Sequence, residues 1–186
     1  LEFGYLKSGA RIYIAVSGGV DVPLVLGSRS TYLVGQLGGH EGRILAAEDI
    51  LQCGRGEPKI KCQYVPDELK RHIGEVANLR AMPGLFWHRL TKTSGKGFFE
   101  DGWVVSTEAD RMGVRFSGGQ PMEFEPRQQP FGAGSDPSNI VDSPYPYGSI
   151  QIPSGLEPIV LHRDAVSAGG YFQIGAVVSA DMDILG

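Results

Sequence analysis

The chain has 186 residues, with 17 Lys and Arg against 21 Asp and Glu, and a formal net charge of −4 at pH 7. A chain of this length buries the core of one domain or two small ones without metal or disulfide support. The mildly acidic balance argues against nucleic acid as a partner, because binding to phosphates requires clustered Lys and Arg.

Metal, disulfide and membrane chemistry find little support in the sequence. Cys53 and Cys62 lie nine positions apart and form no CxxC pair, and the four histidines form no HxH or HExxH motif. No apolar run approaches the roughly 18 residues that cross a bilayer, and no charged-then-apolar leader opens the chain. We therefore expect a cytoplasmic protein with reduced thiols and no metal site.

Glycine suggests the fold class. It accounts for 27 residues, roughly twice its average usage, and is spread along the chain without a period. Short apolar runs between glycine-rich turns are typical of β-barrels and β-sandwiches. The sequence therefore predicts a mainly β protein with a few short helices.

The first third of the chain reads as turns and brief strands. Residues 11–16 are rich in β-branched and aromatic side chains and are followed by Ser-Gly-Gly, which predicts a buried strand ending in a turn at residues 17–19. Residues 66–74 begin with Pro and acidic residues and end with basic residues and Gly, which predicts a short helix. The charged, glycine-containing residues 54–61 are the expected boundary between two lobes, residues 1–58 and 59–186.

The remainder predicts one more helix and the closing strands. A helix over residues 90–99 would be capped by Thr91 or Thr93. Residues 117–147 show no period and read as a long loop. The predicted strands are residues 103–106, 111–116, 149–153, 157–161 and 174–178.

The strand over residues 111–116 presents a possible binding face. Its period of two places Met112, Val114 and Phe116 on the core face, and Arg111, Gly113 and Arg115 on the other. Two guanidinium groups that flank a position without a side chain suit a planar carboxylate or ureido group. The alternative is that both arginines pair with surface acids.

Two other segments carry polar or exposed backbone groups. Residues 135–139, Ser-Asp-Pro-Ser-Asn, favour a rigid polar turn, and Asn139 offers donors and an acceptor to a neutral amide. The alternative is an Asx-turn that only holds the loop. Gly169 and Gly170 either expose N–H groups to an oxyanion or turn a corner.

Several enzyme classes lack their motifs. Residues 27–31 suit an anion nest, but the spacing and the Lys of a phosphate-binding loop are missing. No Ser lies in a GxSxG elbow, and no Ser-Lys or Cys-His arrangement is legible. ATP binding and nucleophilic catalysis therefore have no support from motifs.

The order of these segments resembles the KipA family, also called allophanate hydrolase subunit 2 or biotin-dependent carboxyltransferase subunit. The resemblance covers nearly the whole chain. It rests on residues 9–19, 21–23, 27–32, 38–39, 42–43, 110–113, 150–153, 158–161 and 169–171.

The resemblance implies a fold of cyclophilin-like β-barrel lobes. Because family members are longer, residues 1–58 are expected to be the end of an incomplete first lobe, from which about the first hundred residues of the family pattern are missing. Residues 59–186 would then form the second lobe.

A further likeness is to the carboxyltransferase domain of urea carboxylase, through Gly134 to Ile140 and the later Tyr145, Pro146 and Gly148. Two positions depart from that pattern. Asp136 replaces the His of a Gly-Ser-His-Pro-Ser-Asn run, and Gln173 replaces the Lys of a Thr-Thr-Gly-Gly-Tyr-Pro-Lys run. The loss of that cation leaves the substrate open.

The resemblance implies transfer of a carboxyl group from carboxybiotin to urea or a related amide. Biotin would be carried on a partner domain, with no cofactor held tightly by this chain. The implied partners are a KipI-like subunit, a biotin carrier protein and a small amide. The expected site residues are Arg111 and Arg115 as catalytic groups, Asp110, Ser138 and Asn139 for the substrate, and Gly169, Gly170 and Tyr171 as a wall for biotin.

Two other functions follow from the same resemblance. One is the third subunit of an ATP-dependent 5-oxoprolinase, and the other is a non-catalytic regulator that binds a KipI-like kinase inhibitor. The hydrolase in the family name is disfavoured, because amidase chemistry of the Ser-Lys type needs a nucleophile that is not legible here.

Overall fold

The computed structural model describes residues 1–5, 9, 11–56, 65–70 and 74–185. The chain forms two compact units, Ala10–His72 and Leu1–Gly9 with Ile73–Gly186. The boundary predicted at residues 58 and 59 lies outside the described residues, as do Cys62 and His72.

The larger unit is built mainly of short strands. The described strands are β1 (Ala81–Pro83), β2 (Val104–Val105), β3 (Gly113–Ser117), β4 (Asn139–Pro144), β5 (Ser149–Gln151), β6 (Ile159–Leu161), β7 (Ala168–Tyr171) and β8 (Gln173–Val177). The helices are α1 (Lys92–Glu100) and short 3-10 turns at Trp87–Arg89, Pro153–Gly155 and Ser179–Leu185. The prediction of a mainly β fold with a few short helices is confirmed.

Six of these strands form one antiparallel sheet in the order β1-β8-β5-β6-β3-β2, and β4 and β7 form a separate two-stranded ribbon. The register sets Ile150 of β5 opposite Val160 of β6 and Gly175 of β8. All three residues of β5 are buried, because this strand lies at the centre of the sheet. The described strands leave β1 and β2 as edges and do not close into a barrel.

The hydrophobic core is centred on Phe172, which is fully buried between β7 and β8. The rings of Phe124 and Phe86 pack edge-on against it, with centroids 5.1 and 6.4 Å away. Such offset aromatic pairs add to the stabilisation from burial alone. Other buried members of the core are Leu90, Val114, Phe116, Ile150, Ile152, Val160 and Ile174.

The helix predicted over residues 90–99 is confirmed as α1. The Thr91 side-chain oxygen accepts a hydrogen bond from the N–H of Ser94 at 3.2 Å, and this satisfies one of the unpaired donors of the first turn. Thr91 is thus the N-cap, and Phe98 on the buried face joins the core.

The smaller unit, Ala10–His72, is dominated by turns. The strand predicted over residues 11–16 is wrong, since these residues belong to no strand and are largely exposed. Their composition favours extended backbone, but a strand also requires a partner for its backbone groups, and the nearest described bridge is Val20–Cys53. The turn after them is confirmed by a 2.9 Å hydrogen bond from Gly19 N–H to the Val16 carbonyl.

Two other predictions change in extent. The helix predicted over residues 66–74 is described only as a three-residue 3-10 turn, Asp67–Leu69, and residues 71–73 lie outside the described part. The loop predicted over residues 117–147 contains β4, so that part of the prediction is wrong. Of the residues that the structure describes, no helix has the length and apolar character to span a membrane.

Candidate functional site

The ribbon of β4 and β7 joins two of the predicted site segments. Its register sets Asn139 opposite Tyr171 and Ser143 opposite Gly169, with a shift between them. The backbone N–H of Phe172 donates to the Ser138 carbonyl at 3.1 Å and extends the connection past Tyr171. The residues predicted to bind the acceptor and those predicted to face biotin therefore lie side by side.

Tyr145 fastens this ribbon from one side. Its buried hydroxyl donates to the Tyr171 carbonyl at 2.5 Å and accepts from the Tyr171 N–H at 2.9 Å. Burial raises the pKa of the Tyr145 phenol, so the hydroxyl keeps its proton and donates. The backbone N–H of Tyr171 is thus already engaged within the fold.

Gly169 makes the approach of Tyr145 possible. A Cβ at position 169 would lie 3.1 Å from the Tyr145 ring and 3.4 Å from its hydroxyl oxygen. A Cβ at Gly170 would lie 3.4 Å from the Ile140 carbonyl. Both glycines are half-buried, and their absent side chains let the two strands and the Tyr145 ring pack closely.

The Asp136–Asn139 turn begins the ribbon. One Asp136 carboxylate oxygen accepts from the Ser138 N–H at 2.8 Å and from its hydroxyl at 2.6 Å, which lowers the pKa of Asp136. The Ser138 oxygen in turn accepts from the N–H of Ser154 at 3.0 Å. The predicted Asx-turn is confirmed.

Ser138 and Asn139 therefore differ in accessibility. Ser138 is fully buried, and both its donor and its acceptor capacity are used within the loop. Asn139 is half-buried at the start of β4. The geometry gives Ser138 a part in holding the turn and leaves Asn139 as the neighbouring side-chain amide.

Arg89 is a residue that the sequence analysis missed. Only 3% of it is exposed, and its guanidinium donates to the Asn139 carbonyl at 3.2 Å and to the Pro137 carbonyl. Its charge centre lies 5.3 Å from the centroid of the Phe172 ring. A signal existed in the sequence, because no Asp or Glu stands within ten positions of Arg89.

Arg111 lies just before β3 and is held by an acid. Its Nε and Nη2 donate to the two carboxylate oxygens of Asp164 at 2.8 and 2.9 Å, although 57% of the Arg111 side chain is exposed. The guanidinium lowers the pKa of the Asp164 carboxyl, mainly through these hydrogen bonds. The alternative in which this arginine pairs with an acid is confirmed.

Arg115 is also paired, but loosely. Its Nε lies 3.7 Å from a Glu108 carboxylate oxygen, and both side chains are exposed. An Asp110 carboxylate oxygen accepts from the N–H groups of Met112 and Gly113 at 2.7 and 3.1 Å, so Asp110 forms the turn that leads into β3.

The expectation of an open backbone position between the two arginines is wrong. Gly113 is buried, and a Cβ there would lie 2.9 Å from Cγ2 of Ile159 and 3.2 Å from the Val160 carbonyl. The space over Gly113 is filled by β6, so no planar group approaches the backbone at that point. The ribbon, rather than β3, brings the predicted segments together.

The smaller unit has a groove of its own, with a volume of about 530 Å³. Arg29, His40 and Asp21 line it beside Gly18, Gly39 and Thr31. Arg29 donates to the Val22 carbonyl and contacts the Asp21 carboxylate at 3.4 Å, so the groove carries a compensated pair of charges. Among the described residues of the chain, no three His, Cys, Asp or Glu side chains cluster as a metal site would require.

A comparison with protein families matches the model "Carboxyltransferase domain, subdomain A and B" to residues 1–186. The chain therefore belongs to the carboxyltransferase domain family. The resemblance drawn from the sequence motifs is confirmed.

Two kinds of curated relative share this carboxyltransferase domain. The chain is 35% identical over 177 residues to a 5-oxoprolinase subunit of Escherichia coli, which covers 95% of this chain and 52% of that protein. It is 33% identical over 194 residues to urea amidolyase of Saccharomyces cerevisiae, which covers 98% of this chain and 10% of that protein. The domain thus spans about half the length of the first relative and a tenth of the second.

Solved structures agree. The domain superposes on the crystal structure of the K. lactis urea amidolyase with a TM-score of 0.75 and 30% identity, over 91% of this chain and 11% of that one. The Kluyveromyces lactis urea carboxylase gives a TM-score of 0.74 at 30% identity, over 91% of this chain and 16% of that one. The described fold is thus the fold of these carboxyltransferase relatives.

Proposed function

We propose that this domain transfers a carboxyl group from carboxybiotin to a nitrogen of urea or a related amide, as one component of a larger enzyme. The observation that carries the proposal is the match of the carboxyltransferase model to all 186 residues. The β4–β7 ribbon supports it, because a side-chain amide and an exposed aromatic ring lie opposite each other there.

Asn139 is the group we propose for the acceptor. Its side-chain amide offers two N–H donors and one carbonyl oxygen, which complement a neutral amide or urea. The buried Asp136–Ser138 turn fixes the backbone immediately before it. A rigid mount matters, because orienting the acceptor nitrogen supplies a large part of the rate enhancement in group transfer.

The opposite strand fits a flat ureido group. Gly170 has no side chain to obstruct it, and Tyr171 keeps 44% of its surface exposed at the ribbon edge. We propose that Gly169, Gly170 and Tyr171 form the wall against which biotin would lie. Carboxybiotin, delivered by a partner's carrier domain, would supply the carboxyl group and take up the proton released by the acceptor nitrogen.

The two arginines are proposed to stabilise negative charge on the ureido oxygen. A guanidinium favours that oxygen as charge develops on it. Arg115 is held only at 3.7 Å by Glu108 and is the better placed of the two for this role. Arg111 would have to exchange part of its fork with Asp164, whose two oxygens it now occupies.

A KipI-like subunit and a biotin carrier are the proposed partners. The test begins with a tagged copy of the natural protein, isolated from its own cell and probed with streptavidin. We expect a biotinylated carboxylase to co-purify and the isolated assembly to consume ATP and bicarbonate when urea is added. Recovery of a kinase inhibitor alone, with no biotinylated protein, would favour the regulatory alternative and overturn the proposal.

A second candidate is a subunit of ATP-dependent 5-oxoprolinase. It is favoured by the 35% identity with the E. coli 5-oxoprolinase subunit and by Gln173, which stands where the urea carboxylase pattern has Lys. The same isolated assembly separates the two candidates. Turnover of 5-oxoproline with avidin present to block biotin would support the second, whereas loss of urea-dependent activity on avidin addition would support the first.

A further inference from the structure

We propose that Arg89 is a positioning residue that fixes both edges of the candidate site. It holds the carbonyls on either side of Ser138 and underlies the ring that follows Tyr171. The part of this proposal that concerns the acceptor rests on the proposed function. The part that concerns the loop stands on the geometry alone.

The first observation is the pair of carbonyls. Arg89 Nη1 donates to the Asn139 carbonyl, and Nη2 donates to the Pro137 carbonyl. These two oxygens belong to alternate residues, so one guanidinium spans the whole of Ser138. A planar fork with fixed donor directions does this, whereas an ammonium group is a single point that reaches one oxygen well.

The second observation links Arg89 to the other strand. Its charge centre lies over the Phe172 ring at 5.3 Å, and the Phe172 N–H donates to the Ser138 carbonyl. Phe172 follows Tyr171 directly, at the end of β7. Arg89 therefore contacts the residues next to Asn139 and the residue next to Tyr171 at once.

The third observation is the cost of placing this side chain here. The described hydrogen bonds of Arg89 go to carbonyl oxygens, and its buried Nε has no hydrogen-bond partner. Burial lowers the pKa of Arg89, and nearby Arg127 adds to that effect. A cation buried on carbonyl dipoles and a ring is costly, and a methionine of similar reach would serve a purely apolar core. The arrangement is explained if the fork is needed to orient the loop.

The test compares Arg89→Met and Arg89→Lys with Arg163→Met, an exposed arginine that stacks on Tyr147. The first readout is amide hydrogen exchange of the intact protein, followed by mass spectrometry. We expect Arg89→Met to speed exchange across residues 137–140 by about tenfold or more while β3 keeps its protection. Arg89→Lys should fall between this variant and the parent, and Arg163→Met should match the parent.

The second readout is steady-state kinetics of the holoenzyme. We expect Arg89→Met to raise KM for the acceptor amide by about tenfold with little change in kcat, because the acceptor mount is loosened while the folded fraction is not. Arg89→Lys should recover part of that loss. A fall in kcat alone, with the acceptor KM unchanged, would indicate a merely structural role and overturn the positioning proposal at the site.

The two readouts also separate the possible failures. Faster exchange at residues 137–140 without urea-dependent activity in the parent would uphold the loop assignment and reject the proposed function. Unchanged exchange in Arg89→Met would reject the loop assignment whatever the activity. If Arg89→Met does not fold, the exchange pattern and acceptor KM of Arg89→Lys decide by the same criteria.

Discussion

The hydroxyl of Tyr145 both donates to the carbonyl of Tyr171 and accepts from the N–H of the same residue. One side chain thereby closes the backbone hydrogen bonds of the last residue of β7. This matters because β4 and β7 pair outside the six-stranded sheet and lack its further neighbours. The ribbon that carries the candidate site depends on this phenol for its geometry.

Replacing Tyr145 by Phe should therefore destabilise the larger unit. The substitution keeps the ring but leaves a buried backbone N–H and C=O without their partner, which costs about 1–3 kcal/mol. Urea denaturation followed by circular dichroism measures the change. Tyr147→Phe is the matched control, since Tyr147 is partly exposed and its ring contacts Arg163 and His162 without using its hydroxyl. Equal stability of the two variants would show that the Tyr145 hydroxyl does not fasten the ribbon.

Asp136 offers a test of the turn before Asn139. Asp136→Asn keeps a carbonyl oxygen that accepts from Ser138, so we expect most of the stability to remain. Asp136→Ala removes the acceptor of both Ser138 hydrogen bonds and should cost about 1.5–3 kcal/mol. Thermal unfolding of the two variants beside the parent provides the measurement. A stable Asp136→Ala protein would mean that the turn is held by other contacts.

The Arg111–Asp164 pair predicts how stability depends on pH. Arg111 lowers the pKa of Asp164 below its ordinary value of 3.8, so the unfolded chain takes up this proton at a higher pH than the folded chain does. The stabilisation is present above that ordinary value and is lost as pH falls through the lower, folded-state pKa. Because Arg111 is exposed, we expect at most about 1 kcal/mol at neutral pH.

Asp164→Asn provides the comparison for that pair. The difference in unfolding free energy between parent and variant should be measurable at pH 7 and should shrink toward zero in strong acid. A difference that grows as the pH falls would have the wrong sign for a carboxyl with a lowered pKa. Arg111→Met should reduce stability at pH 7 by a similar amount and should not add fully to Asp164→Asn.

Gly113 tests the close packing between β3 and β6. Gly113→Ala places a methyl group 2.9 Å from Cγ2 of Ile159 and should cost about 1–3 kcal/mol by overpacking. Gly102→Ala is the control, because nothing lies within 4 Å of its Cβ position and the change should be neutral or stabilise by about 0.4–1 kcal/mol.

The partner of that contact sharpens the result. Ile159→Leu removes the β-branched methyl group while keeping the volume, so Gly113→Ala should cost less in an Ile159→Leu background. Denaturant unfolding of the four proteins gives the coupling. Simple additivity of the two changes would place the strain elsewhere than at Ile159.

Local signals were sufficient for part of this fold. Thr91 caps α1 through a side chain that the sequence displays directly, and the alternation of Val114 and Phe116 matches their burial in β3. The closing strands β5, β6 and β8 fall within the segments predicted for them, apart from the first residue of β8. In each case the residues that define the element also provide most of its driving force, so a one-dimensional pattern is informative.

The ribbon was missed because its strands lack that pattern. β4 contains Asn, Asp, Ser and Pro, and β7 is Ala-Gly-Gly-Tyr, a composition that strands generally avoid. They pair because Tyr145 and the Asp136 turn hold them from outside the strands. The opposite error occurred at residues 11–16, where a strand-like composition has no described ladder partner.

The candidate site shows the same limit. Asn139 and Tyr171 were selected for their chemistry, and only the register of β4 and β7 reveals that they are opposite each other. Arg89 has no motif at all, and its importance follows from burial beneath Ser138 and Phe172. Charge spacing along the chain gives no measure of burial in three dimensions.

The most direct test of carboxyl transfer is a single turnover with a labelled donor. The cognate carrier is charged with [14C]carboxybiotin, freed of ATP and bicarbonate, and mixed with this protein and its natural partner subunit in the presence of urea. We expect the label to move to N-carboxyurea, and Asn139→Ala to slow this transfer by about tenfold or more at limiting urea. Label that stays on the carrier or escapes only as carbon dioxide, with no difference between urea and buffer, would contradict the proposed function.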